Sequence, residues 1–395
     1  MAFLLGAVAF VVALLASVML HEAGHLLPAK RFGMKASQYF VGFGPTLWSF
    51  RRGETEYGVK GIPLGGFVRI VGYTPMEEVD PADEPRAFYR QKASRRATVI
   101  CGGVVMNFAF AFVLLMVMAM TIGVREAGTV STKVSECVPA SMTEPSCEAG
   151  RPPSPAAAAG LLAGDRVVVF NGRDVGDWAQ LRSAIDAARP GQAVAVVVER
   201  DGRRLTLRPT LASVGGEPFL GMQAGVVGAG YDRAGPVDAA AFAARAIGQT
   251  LKGIGQTLAD LPSAVPKLFS PERASTPGGQ VGSVVGATDV SGQIFSSDNT
   301  ARDKAALFLS LVVSVNIFLG ALNVLPLLPL DGGHLAVLGY ERLRAWWARR
   351  RGRPDPGLVD MTRLLPVTYL AVILLVGLGV LLILADLINP LRLPQ

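Results

Sequence analysis

The chain has 395 residues, half of them apolar and only 17% charged, with a mean hydropathy of +0.39. Soluble domains carry roughly 25% charged residues, so the deficit excludes an ordinary soluble enzyme and has to be concentrated in segments that avoid water. The formal net charge of +7 is spread over loops beside the apolar runs and a mid-chain region, which argues against nucleic acid as a partner.

Four uncharged runs hold the apolar excess: residues 1–20, 97–124, 305–330 and 364–385. At about 1.5 Å rise per residue, each can cross the roughly 30 Å hydrocarbon core of a bilayer. The first lacks a basic leading region, and Ser17-Val18-Met19 is a poor cleavage site, so it reads as a retained span. Its end carries His21-Glu22-Ala23-Gly24-His25. Positions four apart share a helix face, so both imidazoles can reach one tetrahedral Zn²⁺ while Glu22 stands beside the open position as a base. The bland alternative is a polar helix end emerging into headgroups. Ionisable groups at a span's end are costly in lipid and are expected to bind or pair.

Residues 55–60 and 65–71 alternate polar and apolar side chains around a Gly/Pro turn, the pattern of a β-hairpin. Beyond the second span, Cys137 and Cys147 stand ten residues apart, and a disulfide between them is expected if that segment lies outside the cytoplasm. Cys101, within the second span, reads as a small apolar residue. Charges return over residues 127–212. There, Ala158-Ala159-Gly160-Leu161-Leu162-Ala163-Gly164-Asp165-Arg166-Val167-Val168-Val169-Phe170-Asn171-Gly172 resembles a bacterial PDZ domain, followed by a helix over 178–188 and strands over 193–199 and 204–207. Residues 236–269 suit amphipathic helices on the membrane surface, and the Gly/Ser-rich stretch 276–300 reads as mobile.

The third run ends in Asn323-Val324-Leu325-Pro326-Leu327-Leu328-Pro329-Leu330-Asp331-Gly332-Gly333. Loop charge orients the spans: residues 28–96 hold twelve Lys/Arg against seven Asp/Glu, 331–363 hold seven against four, and 125–304 are balanced at eighteen each. The two basic loops are therefore expected in the cytoplasm, with both termini and 125–304 outside. That threading brings Asp331 to the depth of His21 and His25, which makes it the preferred third ligand. His334 is the competing one, or it helps orient the site. Asn323 either hydrogen-bonds a substrate carbonyl or its oxyanion, or makes a helix–helix hydrogen bond.

Together the His21–His25 motif and the Asn323, Pro326, Leu330, Asp331, Gly332 pattern resemble the site-2 protease family of intramembrane zinc metalloproteases, in its bacterial RseP-like branch. Arg31-Phe32-Gly33-Met34-Lys35, Gly42-Phe43-Gly44-Pro45 and Gly61-Ile62-Pro63-Leu64-Gly65-Gly66-Phe67-Val68 also resemble the family's cytoplasmic loop. The likeness covers most of the chain and departs from it twice. Gly103-Val104-Val105-Met106-Asn107 lacks the family's proline, and Val281-Gly282-Ser283 stands where the family has Ser-Gly-Pro.

The resemblance implies one Zn²⁺ held by His21, His25 and Asp331, Glu22 as the base, Asn323 as a substrate contact, and Gly65, Gly66, Phe67 and Val68 as an edge that pairs with an unwound substrate. The fold class expected is an α-helical polytopic membrane protein of four transmembrane helices, with an inserted α+β PDZ domain and a cytoplasmic membrane-associated β-hairpin. Its domains are 1–126 (two spans and hairpin), 127–212 (PDZ), 213–303 (amphipathic helix and flexible segment) and 304–395 (two spans). The function expected is regulated intramembrane proteolysis, in a bacterial plasma membrane, of single-span proteins: anti-sigma factors already trimmed outside, or remnant signal peptides. A non-catalytic PDZ-bearing scaffold is the alternative. A metal transporter would want polar ligands along several spans, and by composition the second and fourth supply almost none.

Overall fold

Long uncharged runs leave the backbone no partner in lipid but itself, and they fold here as helices. The structure is a computed structural model that describes residues 1–73, 77–124, 128–139, 147, 150–224, 231, 233–270, 273 and 282–390. Helix α1 spans Ala2–Arg31, with Lys30 and Arg31 in its last turn, where cations complement the helix dipole. Strands β1 (Ala36–Arg52) and β2 (Thr55–Ile70) follow, then α2 (Ala93–Thr121).

The hairpin differs from its expected form. Residues 55–60 and 65–71 do not pair with each other; nearly all of both lies in β2, and the first half of β1 inserts between them. Gln38–Val41 face Glu56–Val59 on one side and Gly66–Arg69 on the other, while Trp48–Arg52 pair with Thr55–Val59. The tight turn is at Gly53, whose φ of 62° suits glycine. Buried Thr55 then locks the register by donating its hydroxyl to Ala36 O at 2.7 Å. Alternation reports which face a residue occupies but not its partner strand, so the pattern left this register open. Phe43, Leu47, Trp48, Phe50, Ile62 and Leu64 remain exposed on this sheet.

Residues 119–234 form a compact unit of their own. It contains β3 (Ser131–Val134), α3 (Pro155–Ala158), β4 (Arg166–Phe170), β5 (Arg173–Asp174), α4 (Trp178–Asp186), β6 (Val196–Arg200), β7 (Arg203–Leu207), β8 (Ala212–Val214), β9 (Glu217–Phe219) and β10 (Met222–Ala224). A four-stranded sheet of order β5-β4-β6-β7 is accompanied by the pairs β3–β10 and β8–β9. Alternate residues Val196 and Val198 on β6 join Val167, Phe170, Leu181 and Leu211 in the core. Asp177 caps α4 by accepting from Gln180 N at 2.7 Å. Asp165, directly after Gly164, accepts two hydrogen bonds from Arg200, at 2.6 and 2.7 Å. Cys137 and Cys147 are joined in a disulfide.

The other compact unit comprises residues 1–118 and 235–395. Its second part contains α5 (Pro236–Ala264), α6 (Val284–Ser296), α7 (Ala301–Val324), α8 (Asp331–Arg350) and α9 (Leu365–Ile388). Among the described residues, four helices are long and apolar enough to cross a membrane: Ala2–Arg31, Ala93–Thr121, Ala301–Val324 and Met361–Ile388. α6 lies where a mobile segment was expected. Ser283 caps it, and its small residues serve close packing: Ser291 donates to Gly6 O at 2.8 Å, and Gly292 lies against Phe3. Gly and Ser that read as linker composition are here the residues that let two helices approach. Val281 lies outside the described residues.

α1 and α2 touch backbone to backbone. A Cβ at Gly24 would collide with the carbonyl of Gly102, and one at Gly102 with the carbonyl of Gly24. Below that crossing, Leu26, Ala29, Met34, Ile70, Phe88, Val99, Ile100 and Leu338 form one buried cluster tying α1, the sheet, α2 and α8 together.

Candidate metal centre

The i, i+4 spacing on α1 puts His21 and His25 on the face that meets α2, and both are buried. The third group arrives by a break in the chain. Pro326 bars α7 from continuing past Leu325, and α8 begins at Asp331, whose carboxylate sits in the first turn where the helix dipole favours it. A Cβ at Gly332 would overlap the carbonyls of Val324 and Leu325, so glycine is what lets the second helix start this close to the end of the first.

Three atoms converge. His21 Nε2 and His25 Nε2 are each 3.3 Å from Asp331 Oδ2, and 3.3 Å from each other. Zinc–nitrogen and zinc–oxygen bonds of about 2.0–2.1 Å in a tetrahedron separate the ligand atoms by about 3.3–3.4 Å. The equilateral spacing therefore fits a zinc ion.

Proton accounting points the same way. His25 Nδ1 lies 2.8 Å from Val99 O, an acceptor only, so Nδ1 carries the proton and Nε2 presents its lone pair. Asp331 Oδ2 is buried and accepts no hydrogen bond. A carboxylate oxygen and an imidazole lone pair facing each other repel unless a cation lies between them.

Glu22 stands next to this cluster, its Oε2 accepting from Val68 N–H at 3.0 Å. Val68 lies on the Gly66–Arg69 segment of β2, whose inner edge pairs with β1. A cavity of about 390 Å³ opens beside it, lined by Phe67, Val68, Arg69, Ile70, Tyr73 and Glu77. Gly66 is needed for close approach, since a Cβ there would press on Met19 Sδ of α1, while Gly65 has φ 104° and Phe67 stacks between Phe40 and Phe43.

Asn323 donates its amide to Leu319 O, at 3.0 Å, on its own helix. His334 packs its ring edge-on against Tyr73, with centroids 5.1 Å apart. Burial pushes its imidazole below the ordinary range despite the opposing pull of Asp331. Among the described residues, the group of side chains able to share a metal is His21, His25 and Asp331.

Sequence reading missed several polar partners inside the spans and beside them. Asn107 of α2 is fully buried, with its amide 3.2 Å from His21 Nδ1. Asn316 of α7 donates to Ser17 Oγ of α1 at 2.9 Å. Glu341 of α8 pairs with Arg96 of α2 at 2.9 Å and also accepts from Val359 N. At the end of α9, Asp386 pairs with Arg273 at 2.5 Å, both side chains 1% exposed, and accepts from Ser283 N and Oγ at 2.6 Å and from Gly286 N at 3.2 Å. The signal available was simple: a lone polar residue inside or at the end of an apolar run is expensive unless paired.

Comparison with known proteins agrees with the chemistry of this cluster. The model of peptidase family M50 matches residues 9–353. The zinc metalloprotease Rip1 of Mycobacterium tuberculosis strain H37Rv is 38% identical over 411 residues, covering all of both chains. The zinc metalloprotease Rip1 of Mycolicibacterium smegmatis is 34% identical over 415 residues, again over the full length of each.

Proposed function

This chain belongs to peptidase family M50 and is a zinc metalloprotease of the membrane; from that premise we propose that it cuts single-span membrane proteins within or near the bilayer, using His21, His25 and Asp331 as its zinc ligands and Glu22 as its base. The observation that carries this reading is the 3.3 Å triangle of donor atoms with Glu22 adjoining it. When bound, the ion supplies the Lewis acidity that lets water attack a peptide carbonyl near neutral pH.

The protein groups do the rest. Glu22 takes a proton from the attacking water on its carboxylate and returns one to the leaving amine nitrogen. Its bond from Val68 N–H holds the carboxylate in place. A transmembrane substrate hides its peptide bonds in its own helix, so it has to unwind, and the freed backbone groups need partners. The segment Gly65, Gly66, Phe67, Val68 is the edge against which an extended substrate pairs, beside the cavity at Phe67–Ile70. The exposed aromatic and aliphatic side chains of this sheet suit it to dip into lipid. Asn323 is assigned to the substrate carbonyl, for which its side-chain oxygen carries no hydrogen and its Nδ2 keeps a second one beyond the Leu319 bond.

The substrates are anti-sigma factors already trimmed outside the cell, or remnant signal peptides. The domain division 1–126, 127–212, 213–303 and 304–395 belongs to the same reading, as does a threading with both termini and residues 125–304 outside, supported by the basic loops 28–96 and 331–363. The unit 119–234, with its sheet β5-β4-β6-β7 and helix α4, is read as a PDZ domain that excludes substrates with bulky outer domains rather than capturing free C-termini.

The test is co-expression with tagged single-span candidates, comparing the wild type with Glu22→Gln. Precursor that is cut by the wild type and stays whole with the variant is the expected result. Equal processing by both would remove the proposal.

A further inference from the structure

The two histidines are held by the same helix but by different means. His25 Nδ1 meets a backbone carbonyl, Val99 O, at 2.8 Å, which settles its tautomer. His21 Nδ1 meets the side-chain amide of Asn107 at 3.2 Å, drawn with the amide nitrogen toward the ring. In that orientation Asn107 Oδ1 is buried with no hydrogen-bond partner. It would also oblige His21 Nδ1 to accept, which puts the imidazole proton on Nε2, the atom that faces His25 Nε2 and Asp331 Oδ2. An Nε2 that carries a proton has no lone pair for a metal.

Turning the amide by half a rotation exchanges its nitrogen and oxygen at almost unchanged positions. Oδ1 then accepts from His21 Nδ1–H and Nε2 presents its lone pair as His25 does; Nδ2 takes over the position without a hydrogen-bond partner, so it is the tautomer needed at Nε2, not the number of satisfied atoms, that selects this orientation. We propose that Asn107 is the positioning residue of His21, its side-chain oxygen fixing the tautomer and ring orientation that make Nε2 a metal ligand. This rests on the metal-centre reading above.

The surroundings make the contact specific. Asn107 is 0% exposed, so water does not substitute for it. Gly320 of α7 lies against its Cβ, and a Cβ built on Gly320 would stand 3.4 Å away. On the same helix, Gly103 leaves the space in which both rings sit, since a Cβ there would strike His25 Nε2 and His21 Cε1. α2 thus contributes no ligand and yet sets both of them.

The experiment uses the full-length protein in detergent, stripped of metal and titrated with Co²⁺, reading affinity by chelator competition and coordination by the visible absorption of the bound ion. Asn107→Leu removes the acceptor and is expected to weaken Co²⁺ binding about ten- to a hundredfold and to change the spectrum. Asn107→Asp cannot donate but accepts, and is expected to bind within about threefold of the wild type or tighter, with a tetrahedral spectrum.

Wild-type affinity and spectrum in Asn107→Leu would overturn the proposal. So would a tenfold or greater loss in Asn107→Asp, which would mean the amide nitrogen is the working group. Should Asn107→Leu fail to fold, Asn107→Asp alone decides between these. His21→Ala separates the two levels of inference: undiminished Co²⁺ binding there would sink the metal centre itself, whereas its loss leaves the Asn107 result to be read by itself.

Discussion

Two buried carboxylates in this protein make opposite use of burial. Asp386, at the end of α9, has both oxygens claimed: Arg273 pairs with one, and Ser283 and the first turn of α6 donate to the other. Asp331, at the start of α8, presents a buried oxygen that accepts no hydrogen bond and faces two imidazole nitrogens. A satisfied carboxylate is a fastening. One that is aimed at other electron-pair donors has no structural rationale within the chain and marks the place where something positive is to be held.

That contrast can be broken most severely at Asp331. Asp331→Ala is expected to weaken metal binding by more than about a hundredfold and reduce cleavage to background while the fold persists; metal analysis with a melting curve checks both halves. Asp386→Ala should do the reverse. Removing one partner of a buried pair costs about 3–5 kcal/mol, seen as a lowered melting temperature, with zinc stoichiometry retained in the protein that remains folded. An Asp386→Ala protein that lost metal without losing stability would erase the distinction.

Gly103→Val tests the same contrast from the side of packing. The added side chain displaces both rings, and a loss of metal affinity of about tenfold or more is expected at near-normal stability, measured by chelator competition.

The smallest effect belongs to the unit 119–234. Burial pushes the Asp165 carboxyl up, but hydrogen bonds from Arg200 and from Leu162 N outweigh it and hold the group below its ordinary value. A carboxyl depressed on folding stabilises above its unfolded pKa of about 3.9 and loses that contribution as pH falls through its folded one. Arg200→Gln should therefore lower the melting temperature at pH 7, and the gap to the wild type should narrow below about pH 4. Thermal unfolding at the two pH values checks it.

The candidate centre was legible to an unusual degree because its constraints are local. Two histidines one helical turn apart need no tertiary information, and a carboxylate beside prolines and glycines at a span's end announces a broken helix. What was not legible depended on pairing between distant segments. The strand register at Gln38–Val41, the use of Ser291 and Gly292 as a contact face, and the partnership of Asn107 with His21 are each decided by residues tens or hundreds of positions away. The second and fourth spans are also less bare than their composition suggests, since Asn107 lies within one and Asp386 in the last turn of the other's helix. Apolar periodicity says that such residues are out of place; only the fold says with whom.

The contact between Gly24 and Gly102 has a mechanical consequence. With carbonyls abutting at a single crossing, α1 and α2 are hindered from sliding past one another, and the easy relative motion is a scissor-like swing about that point. Gly24 lies between His21 and His25 in sequence, so the ligands sit at the fulcrum, where displacement is least. A swing about that point displaces the far ends of the two helices most, while His21 and His25, both carried on α1 at the crossing, keep their mutual spacing.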